Sequence, residues 1–217
     1  MINKVMNAQV YPIFPIPLYV ANYDKDLKDV IEYFDNCEMQ DTKVGYGMIS
    51  NNSYILDNPI CNELNTFLMS CFKDFATNIM RYRFDDLQFA QSWLTYKNPN
   101  QFHKAHTHPN TLLAGVFYYD AHEDDAAICF SKEVKSFNRS YFEPSLHDDY
   151  QNHVFSQEEI YYMPKKNDFI IFPSWLTHGV PPNKTNRVRK ALGVNALTKG
   201  TLGDKETISE IIFGRYA

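Results

Sequence analysis

The chain has 217 residues, of which 44% are apolar and 22% charged, with a formal net charge of -5. That length suits one domain with a sizeable core, and the charged fraction is ordinary for a folded protein and does not suggest disorder. The acidic balance argues against non-specific nucleic-acid binding, which needs an excess of basic residues.

Early in the chain, Tyr11 to Tyr19 is apolar but interrupted by Pro12, Pro15 and Pro17, which suits an edge strand. No signal peptide or membrane span is readable there. Asp24 is the expected cap of a first helix with apolar residues Leu27, Val30, Ile31 and Phe34 at helical spacing. A longer helix is expected from Asn58-Pro59, with proline at its first position. Its stripe, Ile60, Leu64, Phe67, Leu68, Cys71, Phe72, Phe75 and Ile79, reads as a core face.

After Arg83 the period changes to that of strands. The segments 87–96, 112–119, 126–130, 159–162, 169–172, 188–196 and 208–213 read as strands. Turn signals at Asn98-Pro99-Asn100, Lys166-Asn167-Asp168 and Pro181-Pro182-Asn183 separate them. The 15 Tyr and 16 Phe, against 8 Gly, fit aromatic-rich strands better than a Gly-rich nucleotide fold. Helices first and strands later predict an α+β, mainly β architecture: a sandwich or barrel buttressed by N-terminal helices. We divide the chain into 1–84, an N-terminal strand and helices, and 85–217, the β core, within a single domain 1–217. The aperiodic segment 131–152 is expected to be a lid or substrate grip, or else a plain surface excursion. Cys37, Cys61, Cys71 and Cys129 show no CxxC spacing, so reduced, mostly buried thiols and a reducing cytoplasm are expected.

The chemistry concentrates in three histidines. In His106-Thr107-His108, an extended backbone would turn both imidazoles to one side. A third, His178, follows the apolar run Phe169-Ile-Ile-Phe172 and a Pro173-Ser-Trp175 turn. Ten residues later comes the basic strand around Arg187, Arg189 and Lys190. Two imidazoles together, a distant third and a cationic strand point to a metal with an anionic ligand. By parity His103 should face away, while His122, His147 and His153 sit in acidic, loop-like stretches. Asp120 and Glu123-Asp124-Asp125 offer carboxylates but read as a solvated turn. Trp93, Phe172 and Trp175 could wall such a site, or simply fill a core.

From about Phe89 to Asn195 the chain resembles the iron(II)- and 2-oxoglutarate-dependent oxygenases, notably the phage- and bacteria-associated branch related to prolyl hydroxylases. The resemblance rests on an ordered series: Trp93 to Tyr96, then His106-Thr-His108, Leu112 to Tyr119 ending in two aromatics, His178-Gly-Val-Pro, and Arg189 to Asn195. It implies a double-stranded β-helix, jelly-roll and cupin-like. It implies an oxidoreductase of the dioxygenase, hydroxylase type, which couples decarboxylation of 2-oxoglutarate to oxidation of a substrate by O₂. Carried over, it makes His106, His108 and His178 the iron(II) ligands, with Arg189, Tyr118 and Tyr96 contacting the 2-oxoglutarate. Arg187 is the rival anchor. His108 falls where the family has Asp or Glu; it is either a branch feature, a residue standing behind the metal, or a sign of lost metal binding. The resemblance places the protein in the cytoplasm of a bacterium or phage-infected host.

Two other readings of the residues stay open: a His-only cupin-like metalloenzyme that does not use 2-oxoglutarate, and a non-catalytic binding or structural module on the same barrel. For partners, a protein residue or small molecule is favoured as substrate over nucleic acid, no membrane is implied, and a homo-oligomer is left open.

Overall fold

The computed structural model describes residues 9, 14–42, 46–132 and 157–213. Among the described residues, twelve strands and two α-helices follow in the order β1 (Tyr19–Asn22), α1 (Lys28–Asp35), β2 (Met39–Asp41), β3 (Met48–Ser50), α2 (Asn62–Asp74), β4 (Phe84–Lys97), β5 (His103–His106), β6 (Leu113–Asp120), β7 (Ile128–Ser131), β8 (Glu159–Tyr162), β9 (Asp168–Pro173), β10 (His178–Val180), β11 (Arg189–Leu202) and β12 (Ile211–Ile212). A larger sheet runs β1-β9-β6-β11-β4-β3-β2, with β12 also on β11; a smaller one runs β5-β10-β7-β8. The strand pairs are antiparallel. This is the double-stranded β-helix, with α1 and α2 on the outer face of the larger sheet.

The central strands of the larger sheet are buried on both faces, so they read as continuous apolar runs and not as alternation. Each nevertheless divides its side chains by parity. Leu113, Phe117 and Tyr119 of β6, Phe169 and Ile171 of β9, and Leu192, Val194 and Ala196 of β11 join the helices in one core. Ala114 and Tyr118, Ile170 and Phe172, and Ala191 face the other way and meet Ile128 and Phe130 in the inter-sheet core. The helical stripe supplies the first core: Leu64, Leu68, Phe72 and Phe75 are at most 1% exposed. Burying each such side chain contributes about 1.5–3 kcal/mol. The stripe's ends, Ile60 and Ile79, are half exposed, so the buried face is shorter than its sequence pattern.

Several local expectations need correction. Asp24 does not cap α1; Asp26 Oδ1 accepts from the Lys28 amide at 3.0 Å instead, because the helix starts after Leu27. The N-terminal edge strand is confined to β1, with residues 14–18 outside it, since the prolines leave too few amide donors for a ladder. Asn58 does cap the turn before α2, its Oδ1 accepting from the Ile60 amide at 3.1 Å. β12 is only two residues long, against the 208–213 expected, and β2, β3 and β10 are short strands the pattern did not resolve. Residues 133–152 of the expected lid, with His147, lie outside the described residues, as does His153. Among the described residues no helix is long and apolar enough to cross a membrane.

Candidate metal centre and anion pocket

His106 ends β5 and His178 opens β10, and the two are direct partners across the ladder. His108 lies two residues beyond β5, where its backbone amide donates to Ser174 O at 2.9 Å, and Ser174 Oγ donates to Thr111 O at 2.7 Å. Those bonds stitch the loop after β5 to the loop before β10, so all three rings are delivered from stitched elements to one point. Their ligand atoms lie within 4.8 Å of one another. The Nε2 atoms of His106 and His108 are 3.2 Å apart, and those of His108 and His178 also 3.2 Å.

Each ring's other nitrogen fixes its tautomer. His106 Nδ1 lies 2.9 Å from Lys104 O, and His178 Nδ1 2.9 Å from Leu176 O. A carbonyl only accepts, so both Nδ1 atoms carry the proton. Asn195 Nδ2 donates to Gln91 Oε1 at 3.3 Å, which turns Asn195 Oδ1 towards His108 Nδ1, 2.6 Å away. His108 is therefore protonated at Nδ1 as well. Three Nε2 lone pairs then converge with no proton between them. They cannot hydrogen-bond one another, but they suit a cation bound at about 2.0–2.1 Å from each nitrogen. Burial depresses the basicity of all three, and His178 falls to about 3, so the cluster is neutral at pH 7 and ready to ligate. Aromatic rings shield it: Phe172 meets His178 edge-on at 4.5 Å, and Trp93 lies 5.8 Å from His108. Gly193 makes the second contact possible, because a Cβ there would come within 2.6 Å of the Trp93 ring. Trp175 forms neither wall nor core; it is 57% exposed.

An inner cavity extends from the three histidines between the sheets. Thr95 and Lys97 of β4, Val116 and Tyr118 of β6, Ile128 of β7 and Arg189 and Ala191 of β11 line it. Arg189 is 3% exposed, its guanidinium lies 5.2 Å from the Tyr118 ring centre, and its Nε and Nη2 have no hydrogen-bond partner. The Tyr118 hydroxyl is likewise buried and unpartnered. Orphaned donors of this kind imply a bound acceptor. Arg187 is instead spent at the surface on Asp124 and Asp125, the latter at 3.1 Å. Asp120 pairs with His122 at 3.4 Å, so none of these carboxylates reaches the histidines.

Tyr96 corrects the expectation made for it. Strand alternation sends it to the helical side, where its hydroxyl donates to Phe34 O at 3.2 Å and its ring lies under Lys190 Nζ at 5.2 Å. Its neighbours Thr95 and Lys97 take the cavity side. His103 corrects the opposite way. It stacks on His106 at 4.4 Å between ring centres and lines the cavity. A bulge is the reason: β5 advances from 106 to 103 while β10 advances from 178 to 180, which reverses the parity of His103. Lys97, which the sequence reading passed over beside the Asn98-Pro99 turn, is 2% exposed and is pushed down to about 8 by burial and by Arg189. Its position opposite Arg189 emerges only from the strand register.

Residues 91–195 match the model of the family described as "Putative 2OG-Fe(II) oxygenase". That span holds all three histidines, Tyr118, Lys97 and Arg189. That segment, just under half of the chain, is what this protein has in common with the 2OG-Fe(II) oxygenases. The chain shares its fold with solved structures at low identity. A 2OG-Fe(II) oxygenase family oxidoreductase from Burkholderia pseudomallei is 10% identical (79% of this chain, 77% of that one, TM-score 0.53). A Pseudomonas putida prolyl-4-hydroxylase is 12% identical (85% and 94%, TM-score 0.55). HygX from Streptomyces hygroscopicus, with nickel and 2-oxoglutarate bound, is 9% identical (88% and 86%, TM-score 0.57). A search of curated proteins finds no match.

On the other side of the three histidines lies a second, more open cleft of about 460 Å³, lined by Ala90, Gln91, Thr107, Pro109, Asn110 and Asn195. His106 and His108 border both spaces. A group in the inner cavity and one in the outer cleft would therefore meet at the same ion.

Proposed function

We propose that this oxygenase is a hydroxylase that binds iron(II) through His106, His108 and His178 and 2-oxoglutarate through Arg189, with Tyr118 beside it. The observation that carries the reading is the convergence of three Nε2 lone pairs on a cavity that the buried Arg189 also lines, with its Nε and Nη2 unpartnered. Iron(II) with 2-oxoglutarate supplies O₂ activation coupled to decarboxylation, giving succinate and CO₂.

The chain's own contribution is placement. Lys104 O, Leu176 O and Asn195 Oδ1 hold the imidazoles in the ligating tautomer. Arg189 offers a planar fork that fits a carboxylate with two parallel hydrogen bonds, in a space where Val116, Ile128 and Ala191 exclude water and strengthen the pairing. With His108 in place of a carboxylate the ligand set is neutral, so the ion keeps its full charge for anionic co-substrate oxygens. The neutral amides and hydroxyl around the outer cleft, Gln91, Asn110 and Thr107, suit a hydrogen-bonding substrate such as a peptide or hydroxylated small molecule. The four thiols, all unpaired, with burial pushing Cys61 up to about 12 and Cys71 to about 11, fit a reducing cytoplasm.

The test is iron-dependent conversion of 2-oxoglutarate to succinate by purified protein. Hydroxylation predicts slow substrate-free turnover, lost in His178→Ala. A His-only metalloenzyme would bind iron yet leave 2-oxoglutarate untouched, and a binding module would do neither.

A further inference from the structure

Lys97 and Arg189 stand directly opposite each other on β4 and β11. Both line the inner cavity, and they are 2% and 3% exposed. Like charges at directly opposed positions on neighbouring strands repel, and each buried cation also loses hydration. Other cations of this chain, Lys73, Arg187 and Lys190, hold carboxylates at or near the surface. Among the described residues lining the cavity there is no carboxylate at all. Gly47 leaves the lysine its channel: a Cβ there would come within 2.8 Å of Lys97 Cδ and 3.1 Å of Nζ. The turns that follow β4 and precede β11 are tied by buried Asn183, whose Nδ2 donates to Lys97 O at 3.0 Å and Arg187 O at 2.7 Å. The two cations are thus held together by the fold, with no carboxylate among the described lining residues to balance them.

We infer that Lys97 is a second anchor for the distal carboxylate of the co-substrate, acting with Arg189. The inference rests on the 2-oxoglutarate reading above. The two heads divide the work by shape. Arg189, laid against Tyr118, presents a fixed planar fork, while the lysine ammonium is a compact charge that approaches from the facing strand. An anion between them removes their mutual repulsion as well as pairing each one.

The experiment compares nickel(II)-loaded wild type, Lys97→Met and Lys97→Arg by calorimetric titration with 2-oxoglutarate and with 2-oxobutanoate, which keeps the chelating end and lacks the distal carboxylate. Lys97→Met should weaken 2-oxoglutarate by about 10- to 100-fold, the loss of one charge-assisted hydrogen bond, and leave 2-oxobutanoate unchanged. Lys97→Arg should recover most of the loss. Unliganded Lys97→Met should melt no lower than wild type, because it removes a buried charge. Unchanged 2-oxoglutarate affinity, equal losses for both acids, or a lowered melting point would overturn the role of Lys97. Wild type that binds 2-oxobutanoate and 2-oxoglutarate alike would also overturn it, while the metal reading stands. Wild type that binds neither would overturn the 2-oxoglutarate reading itself, and this inference with it.

Discussion

Asn195 Oδ1 lies 2.6 Å from His108 Nδ1, and Gln91 holds the amide in that orientation from behind. Asn195 sits where the β11–β4 register shifts, so the bulge aims the amide at the ring. Asn195→Ala should leave the fold intact but free His108 to rotate and change tautomer. We expect metal affinity to fall by about 10- to 100-fold, read as cobalt(II) binding against a competing chelator. An unchanged affinity would show that His108 does not ligate, or needs no orienting partner.

Acid should unfold the metal-free protein early. Burial holds His103 and His178 at about 3 in the folded state, against 6.5 for the unperturbed group. Between these values the unfolded chain binds more protons than the folded one, so stability rises with pH across this window. It is fully present above pH 6.5 and is lost as pH falls towards 3. Urea unfolding of metal-free protein at pH 7.5 and 5 measures this, and His103→Gln should flatten the slope. Equal midpoints for wild type at both values would contradict the burial of these rings.

Tyr96→Phe separates the structural role of this tyrosine from the co-substrate role the family pattern implied. Its hydroxyl bonds to Phe34 O on the helical side. The substitution should lower stability by about 0.5–1.5 kcal/mol and leave 2-oxoglutarate affinity within about twofold, which binding titration would check. Tyr118→Phe is the contrasting variant, because that hydroxyl is buried beside Arg189.

These corrections show what a single sequence makes legible. Strand β9 was readable because a run buried on both faces carries its own signature, Phe169 to Phe172. The meeting of His106, His108 and His178 beside a cavity lined by Arg189 was foreshadowed by the order of these residues along the chain, which matched a known series. His103 was not, because one extra residue in a bulge inverts parity and bulges leave no periodic trace. Lys97 was hidden by its type: a lysine before an Asn-Pro turn reads as solvated, and only its pairing with Arg189 shows that it is buried. Tyr96 failed because the family's pattern was followed where strand alternation said otherwise.

The proposed centre is a three-histidine iron site that shares 2-oxoglutarate with a buried arginine. Anaerobic titration of the iron(II) protein with 2-oxoglutarate tests it most directly. A visible charge-transfer band should develop that saturates at one equivalent, disappears in His106→Ala and requires much more 2-oxoglutarate in Arg189→Gln. A wild-type protein that binds iron(II) but develops no band, or a band that Arg189→Gln leaves unmoved, would contradict it.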